Sequence, residues 1–187
     1  MAPTIYCALL RGINVGGNNM ISMKALKASF ESLGFTDVST YINSGNILFR
    51  SKIADARKLE VKIEKMLVAE YELGCKVVVR SSDEMARLVA KLPKTWNDDK
   101  DWRYNVIFLR HTIDSKDAIE RFNPKPDIEQ VIYVPGTLLW WARASDANRT
   151  SLQKLGSQKI FQDMTVRNAN TTRKLHALMQ EMSAATD

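Results

Sequence analysis

Residues 4–10 read TIYCALL, and both alternating sets of side chains in this stretch are apolar. Successive side chains of a strand point to opposite faces, so a strand that is apolar on both faces lies in a sheet covered on both sides. Residues 11–19, RGINVGGNN, follow as a loop rich in glycine and asparagine. The sequence therefore predicts a central strand that ends in a polar loop.

The chain after this strand alternates between helical and strand patterns. Apolar residues at helical spacing predict helices over about 22–33 and 54–73, each followed by a glycine. Short apolar runs predict strands over 38–42, 47–50 and 75–80, the first two joined by the turn Asn43-Ser44-Gly45-Asn46. The resulting order, β-α-β-β-α-β, is that of the ferredoxin-like split unit.

The second half repeats part of this order. A helix capped by residues 81–84 is predicted up to about residue 92, followed by a strand over 104–110, a helix over 114–122 and a hairpin over 130–143. Two further helices are predicted over about 145–155 and 168–182. We therefore expect an α+β fold with antiparallel sheets. Residues 1–80 form a ferredoxin-like subdomain and residues 81–187 a related second one.

Composition excludes several kinds of site. The chain of 187 residues has 27 Lys+Arg and 21 Asp+Glu, a net charge of +6, and these charges are mixed along the helices. Its two cysteines and two histidines are isolated, so no metal site is predicted and the cofactor stays unknown. The N-terminal stretch lacks a basic leader and no segment is apolar enough to span a membrane. We expect a cytoplasmic protein without a membrane partner.

A candidate ligand site lies at one edge of the first predicted sheet. In this topology the first two strands run the same way, so the loop after residue 10 and the turn after residue 42 share an edge. Glycine allows close approach of backbone N–H groups, and arginine supplies a forked cation, which together suit an anion. The same residue types also serve loops that need positive φ, so the structural reading stays open. The predicted ligand-binding residues of this edge are Arg11, Asn14, Gly16, Gly17, Asn18, Ser44 and Asn46.

Residues 165–172, TVRNANTT, repeat the arginine and asparagine chemistry of the first loop. Arg167, Asn168 and Asn170 are added to the predicted ligand-binding set, and we expect the two segments to meet. Threonine or asparagine here is also the ordinary cap of the closing helix, and that alternative stays open.

Familiar catalytic and nucleic-acid motifs are incomplete. Asn18-Asn19 stand where a phosphate-binding P-loop needs Lys and Ser or Thr. The first strand loosely fits an RNA-recognition strand, but residues 46–50 lack the companion motif. Because both faces of the first strand are apolar, Tyr6 is expected in the core. His111 and Ser44 are the nearest candidates for acid–base or nucleophilic chemistry, without a visible partner.

The chain resembles a bacterial family, number 1697 among the domains of unknown function. The resemblance is carried by ALLRGINVGG at residues 8–17, YINSGN at 41–46 and the closing T-x-R-N-x-N-T at 165–171. It implies an α+β fold with ferredoxin-like subdomains and brings no established activity. The chain departs from the family pattern at Ala169, where tryptophan is usual, and at Asn43, where glutamine is usual.

Three functions stay open. The first is binding of a phosphate-bearing ligand, a nucleotide or nucleic acid, at the Arg/Asn/Gly edge. The second is a group-transfer enzyme that uses the same edge to stabilise an oxyanion. The third is a protein-interaction module. The sequence decides neither whether the protein is an enzyme nor its oligomeric state.

Overall fold

The computed structural model describes residues 3–14, 20–96, 99–155 and 159–185. The chain forms two compact units. The first contains Met1–Arg87 together with Leu175–Asp187, and the second contains Leu88–Lys174.

The first unit has the predicted β-α-β-β-α-β order. Its sheet is antiparallel throughout, with strand order β2-β3-β1-β4, so the central strand β1 pairs with both β3 and β4. A third helix, α3, begins at a reciprocal cap in which Ser81 and Glu84 bond each other's backbone N–H. The elements are β1 (Thr4–Leu10), α1 (Met23–Ser32), β2 (Thr36–Tyr41), β3 (Asn46–Ser51), α2 (Ala56–Tyr71), β4 (Val77–Ser81) and α3 (Ser82–Val89).

Strand β1 is buried on both faces, as its two apolar sets predict. On one face Tyr6 belongs to the core that includes Phe30 of α1, and its ring lies 5.8 Å from that of Phe49. On the other face Cys7 and Leu9 are fully buried. Tyr6 is therefore a core residue and is not available for stacking on a base.

Glutamate side chains close the outer edge of β4. The backbone N–H groups of Val77 and Val79 donate to carboxylate oxygens of Glu64 and Glu60, at 3.1 Å in both cases. The next N–H in this alternating series, that of Ser81, donates to Glu84 at 2.8 Å. An edge strand otherwise offers such groups to another chain, so these carboxylates satisfy β4 from within the unit.

The second unit repeats the sheet of the first. Its strand order, β6-β7-β5-β8, corresponds position by position to β2-β3-β1-β4, and all its pairs are antiparallel. The predicted α+β fold with two related antiparallel sheets is confirmed, and the subdomain boundary at residue 80 stays a prediction. The elements are β5 (Trp102–Leu109), α4 (Ala118–Phe122), β6 (Glu129–Val134), β7 (Thr137–Arg143), α5 (Ser151–Lys154), β8 (Met164–Asn168) and α6 (Ala169–Ala184), with 3₁₀ turns at Ala144–Arg149 and Lys159–Asp163.

Two local predictions in this half are wrong, and one strand is missing from the prediction. The helix expected over 145–155 is a 3₁₀ turn followed by the single turn of α5, and the helix expected over 114–122 is only α4. Strand β8 was not predicted at all, because its five residues carry a weak pattern and its hydrogen bonds come from the distant strand β5. Such pairing is decided by tertiary context rather than by local propensity.

Replacing Glu60 tests the closed edge of β4. Glu60 is 2% exposed, so Glu60→Ala leaves the buried N–H of Val79 without this acceptor and lowers the free energy of unfolding by about 1–3 kcal/mol. Glu60→Gln keeps an acceptor oxygen and costs less. Urea unfolding measures both changes, with the exposed Glu31→Ala on α1 as control, expected within about 0.5 kcal/mol of wild type. Equal stability of Glu60→Ala and Glu31→Ala would contradict this account.

Candidate functional site

The predicted edge of the first unit is formed where three backbone segments meet. The N–H of Leu10 donates to the carbonyl of Gly45 at 2.8 Å, and the N–H of Arg11 donates to the carbonyl of Lys76 at 3.4 Å. The end of β1, the β2–β3 turn and the start of β4 therefore lie side by side. Arg11, Ser44 and Asn46 are all placed at this edge.

Asn14 fixes the path of the loop after β1. It has a positive φ of 53°, and its side-chain oxygen accepts from the N–H of Ile21 at 2.7 Å. Its amide nitrogen donates to the carbonyls of Ile21 and Asn43, both at 3.0 Å. Asn14 thus ties the chain after β1 to the β2–β3 turn. Its side-chain amide is used in hydrogen bonds to backbone groups. Gly16, Gly17 and Asn18, the other predicted residues of this loop, lie outside the described residues.

Asn46 shapes the β2–β3 turn from inside. It is fully buried, and its amide nitrogen donates to the carbonyl of Tyr41 and to the hydroxyl oxygen of Ser44, both at 3.0 Å. Ser44 is half-buried beside Gly45. The two side chains therefore define the turn that Gly45 closes against β1.

Two cationic residues and one thiol border this edge. Arg11 is half-buried, and Lys76 is exposed and pairs with Glu64 at 3.3 Å. Burial raises the pKa of the Cys75 thiol to about 11, although the backbone N–H of Arg11 lowers it in part. Cys75 is therefore protonated near neutral pH and is a poor nucleophile.

The second unit contains the same turn with different charges. The N–H of Leu109 donates to the carbonyl of Gly136, and the N–H of Arg110 donates to the carbonyl of Asp163, both at 2.9 Å. The bond from Leu109 to Gly136 corresponds to that from Leu10 to Gly45 in the first unit. The bond from Arg110 to Asp163 corresponds to that from Arg11 to Lys76.

The charge difference lies at the position that Lys76 occupies in the first unit and Asp163 in the second. The guanidinium of Arg110 is 3.3 Å from the Asp163 carboxylate, and the residue is 7% exposed. Asp163 directly precedes β8 as Lys76 directly precedes β4. The second unit thus neutralises its arginine with an acid, whereas the first has a second cation at the corresponding place.

The closing segment lies in the second unit. Arg167 is 9% exposed and donates to the hydroxyl of Thr165 at 3.0 Å. The side chain of Asn168 accepts from the N–H of Thr171 at 2.6 Å and so caps α6, which was the structural alternative for this motif. Asn168 and exposed Asn170 line a cleft of about 400 Å³ beside Trp102 and Tyr104. That this segment meets the loop of the first unit stays a prediction.

The two histidines lie in different environments. His111 is exposed in the second unit, and burial lowers the pKa of His176 on α6.

Across residues 3–14, 20–96, 99–155 and 159–185, no three His, Cys, Asp or Glu side chains are grouped as a metal would need. In the same ranges no helix combines the length and apolar character needed to cross a bilayer. The cytoplasmic location stays a prediction.

Comparison with known proteins places the chain in a family. The model of a protein family of unknown function, DUF1697, matches residues 4–140. The chain belongs to this family. Among solved structures this DUF1697 chain is similar to the conserved bacterial protein SP0830 from Streptococcus pneumoniae, with a TM-score of 0.83 and 27% identity over 96% of this chain and 99% of that one. No curated protein matches it. The predicted family and fold are confirmed, and DUF1697 brings no activity.

Replacing Gly45 by alanine tests how tightly the β2–β3 turn packs against β1. A Cβ at this position would lie 2.8 Å from the Leu10 Cβ and 2.9 Å from Ile13, and Gly45 has a φ of +73°. Gly34 also has a positive φ, +82°, but nothing lies within 4 Å of its Cβ position. Gly34→Ala is expected to cost about 1–2 kcal/mol from backbone strain alone. Gly45→Ala should cost about 1–3 kcal/mol more because of the overlap, measured by urea unfolding. Equal losses would show that the turn tolerates a side chain.

The thiol of Cys75 gives a prediction about pH. Because its pKa is raised to about 11, the reactive thiolate is scarce below pH 9, and the rate of alkylation by iodoacetamide should still be rising at pH 10. Cys7 is fully buried and should not react in the folded protein. Mass spectrometry of protein labelled over a series of pH values measures the rate at each cysteine. A plateau at or below pH 9 would contradict the raised pKa.

Proposed function

We propose that this protein binds a phosphate-bearing ligand, a nucleotide or a nucleic-acid segment, at the edge of the first unit, with Arg11 as its main cation. The observation that carries the proposal is the difference between the two matching turns. Arg110 is paired with Asp163 in the second unit, whereas the corresponding neighbour of Arg11 is Lys76. The turn is common to both units, and the residue beside the arginine is an acid, Asp163, in the second unit and Lys76, which pairs with Glu64, in the first.

The local backbone suits an anion. Gly12 is exposed with a φ of +66°, so the chain turns sharply after Arg11 without a side chain in the way. Two residues further on, the side chain of Asn14 makes three hydrogen bonds to backbone groups of Ile21 and Asn43. A guanidinium offers a planar fork of donors that matches phosphate oxygens, and a lysine adds a second point charge. Asn14 thus anchors the chain after Arg11, and the two cations make the contact.

Calorimetric titration with inorganic pyrophosphate and ATP at low salt tests the proposal. Arg11→Ala should weaken binding by about 10- to 100-fold, the range expected for loss of one charge-assisted hydrogen-bonded contact. Lys76→Asp gives the first unit the charge arrangement of the second and should also weaken binding. Arg121→Ala, which removes an exposed arginine from α4, is the matched control and should leave affinity unchanged.

The alternatives predict different results. A group-transfer enzyme would show turnover that Ser44→Ala or His111→Ala abolishes, and no observation in the described residues singles out that chemistry. An interaction module would bind neither pyrophosphate nor ATP. Absence of binding to both probes, or equal affinities of Arg11→Ala and Arg121→Ala, would overturn the proposed site.

A further inference from the structure

The second unit has an aromatic surface on one face of its sheet. Tyr104 of β5 pairs directly with Trp141 of β7, and Trp102 lies two residues before Tyr104, so the three rings share a face. Trp140, the neighbour of Trp141, points to the opposite face and is buried in the core. The aromatic residues therefore stand on the side of the sheet that does not hold this core.

Trp96 covers the inner part of this surface. Its ring stacks on Tyr104, with centroids 5.0 Å apart and an angle of 18°, and lies 5.5 Å from Trp141. Trp96 is 5% exposed, and Arg173 donates hydrogen bonds to its carbonyl and to that of Pro93. The inner rings are thus occupied by the protein itself.

The outer end of the surface is Trp102. Its ring is nearly parallel to Tyr104, at 10° and 6.4 Å, and is half-buried. The guanidinium of Arg143 lies 4.9 Å from its centroid, a cation–π contact that holds the ring in place. Trp102 is therefore an oriented aromatic ring that Arg143 covers on one face and that retains part of its surface accessible.

The cleft of about 400 Å³ opens beside this ring. Its volume lies within the range of small-ligand sites. Asn168 and Asn170 bring side-chain amides from the start of α6, and Lys100 and Arg103 bring two exposed cations. One acid, Asp99, also lines the cleft, and its carboxylate accepts from the N–H of Asp101 at 2.8 Å.

We propose that this cleft binds a nucleobase attached to a phosphate, with the base stacked on Trp102. Aromatic rings bind bases through their faces, side-chain amides reach the polar edge of a base, and cations contact the attached phosphate. Lys100 and Arg103 carry two positive charges against the one negative charge of Asp99. This excess of one positive charge favours the anionic phosphate of the ligand. The site is independent of the edge around Arg11, because its lining residues all belong to the second unit.

Fluorescence anisotropy with labelled single strands tests the cleft. One probe is an oligothymidylate of about eight nucleotides, and the other is an abasic strand of the same length. Trp102→Ala should weaken binding of the oligothymidylate by about 5- to 150-fold and leave the abasic strand unchanged. Trp102→Phe keeps a ring and should restore most of the affinity. Competition by uridine monophosphate would show that a free nucleotide also fits, and lack of competition would assign the site to the strand.

A second variant covers the case in which Trp102→Ala does not fold. Asn170 is exposed on the cleft wall, so Asn170→Trp fills the cleft without altering the sheet and should also weaken binding of the oligothymidylate. Arg11→Ala removes a cation of the first-unit site, so it should weaken binding of the oligothymidylate and of the abasic strand to the same extent. This result separates failure of the first-unit site from failure of the cleft. Equal affinity for the abasic strand and the oligothymidylate, or unchanged affinity in Trp102→Ala and Asn170→Trp, would overturn the inference.

Discussion

The hydrogen bond from the Leu10 N–H to the Gly45 carbonyl is the constraint on which the first unit depends. At 2.8 Å it brings the β2–β3 turn against the end of β1, so close that no side chain fits at residue 45. Asn46 and Asn14 are then needed to hold the backbone on either side of the contact. The position of Arg11 follows from this packing, because it is the next residue of the chain. The candidate anion site is thus a consequence of how the central strand ends.

The second unit shows that this constraint belongs to the fold rather than to a function. Leu109 and Gly136 make the same bond at 2.9 Å, yet Arg110 is buried against Asp163. The same backbone arrangement therefore places Asp163 beside the arginine in one unit and Lys76, which pairs with Glu64, in the other. Removing one partner of a buried pair leaves the other charge uncompensated, so loss of Asp163 would destabilise the second unit. A shared fold consequently does not imply a shared site.

Local signals were enough to predict most elements, and long-range contacts account for the rest. The two apolar faces of β1 predicted its central position, and the Ser81–Glu84 spacing predicted the cap of α3. The roles of Asn14 and Asn46 could not be predicted, because asparagine in a loop suits a ligand and a backbone carbonyl equally well. Glu129 gave no signal either. It is 2% exposed and accepts from Trp140 at 2.6 Å and from the N–H groups of Lys125 and Ser151 at 2.8 Å, partners that only the tertiary fold brings together.

The register of the two sheets relates the aromatic surface of the second unit to the first strand of the chain. Leu9 pairs with Asn46 as Phe108 pairs with Thr137, each pair directly after the turn glycine, so Tyr104 corresponds to Ile5 and Asn105 to Tyr6. Tyr6 therefore faces the helix-packed core, whereas Tyr104 faces the other side of its sheet. Ile5, the residue before Tyr6, is the position that holds an aromatic residue, Tyr104, in the second unit.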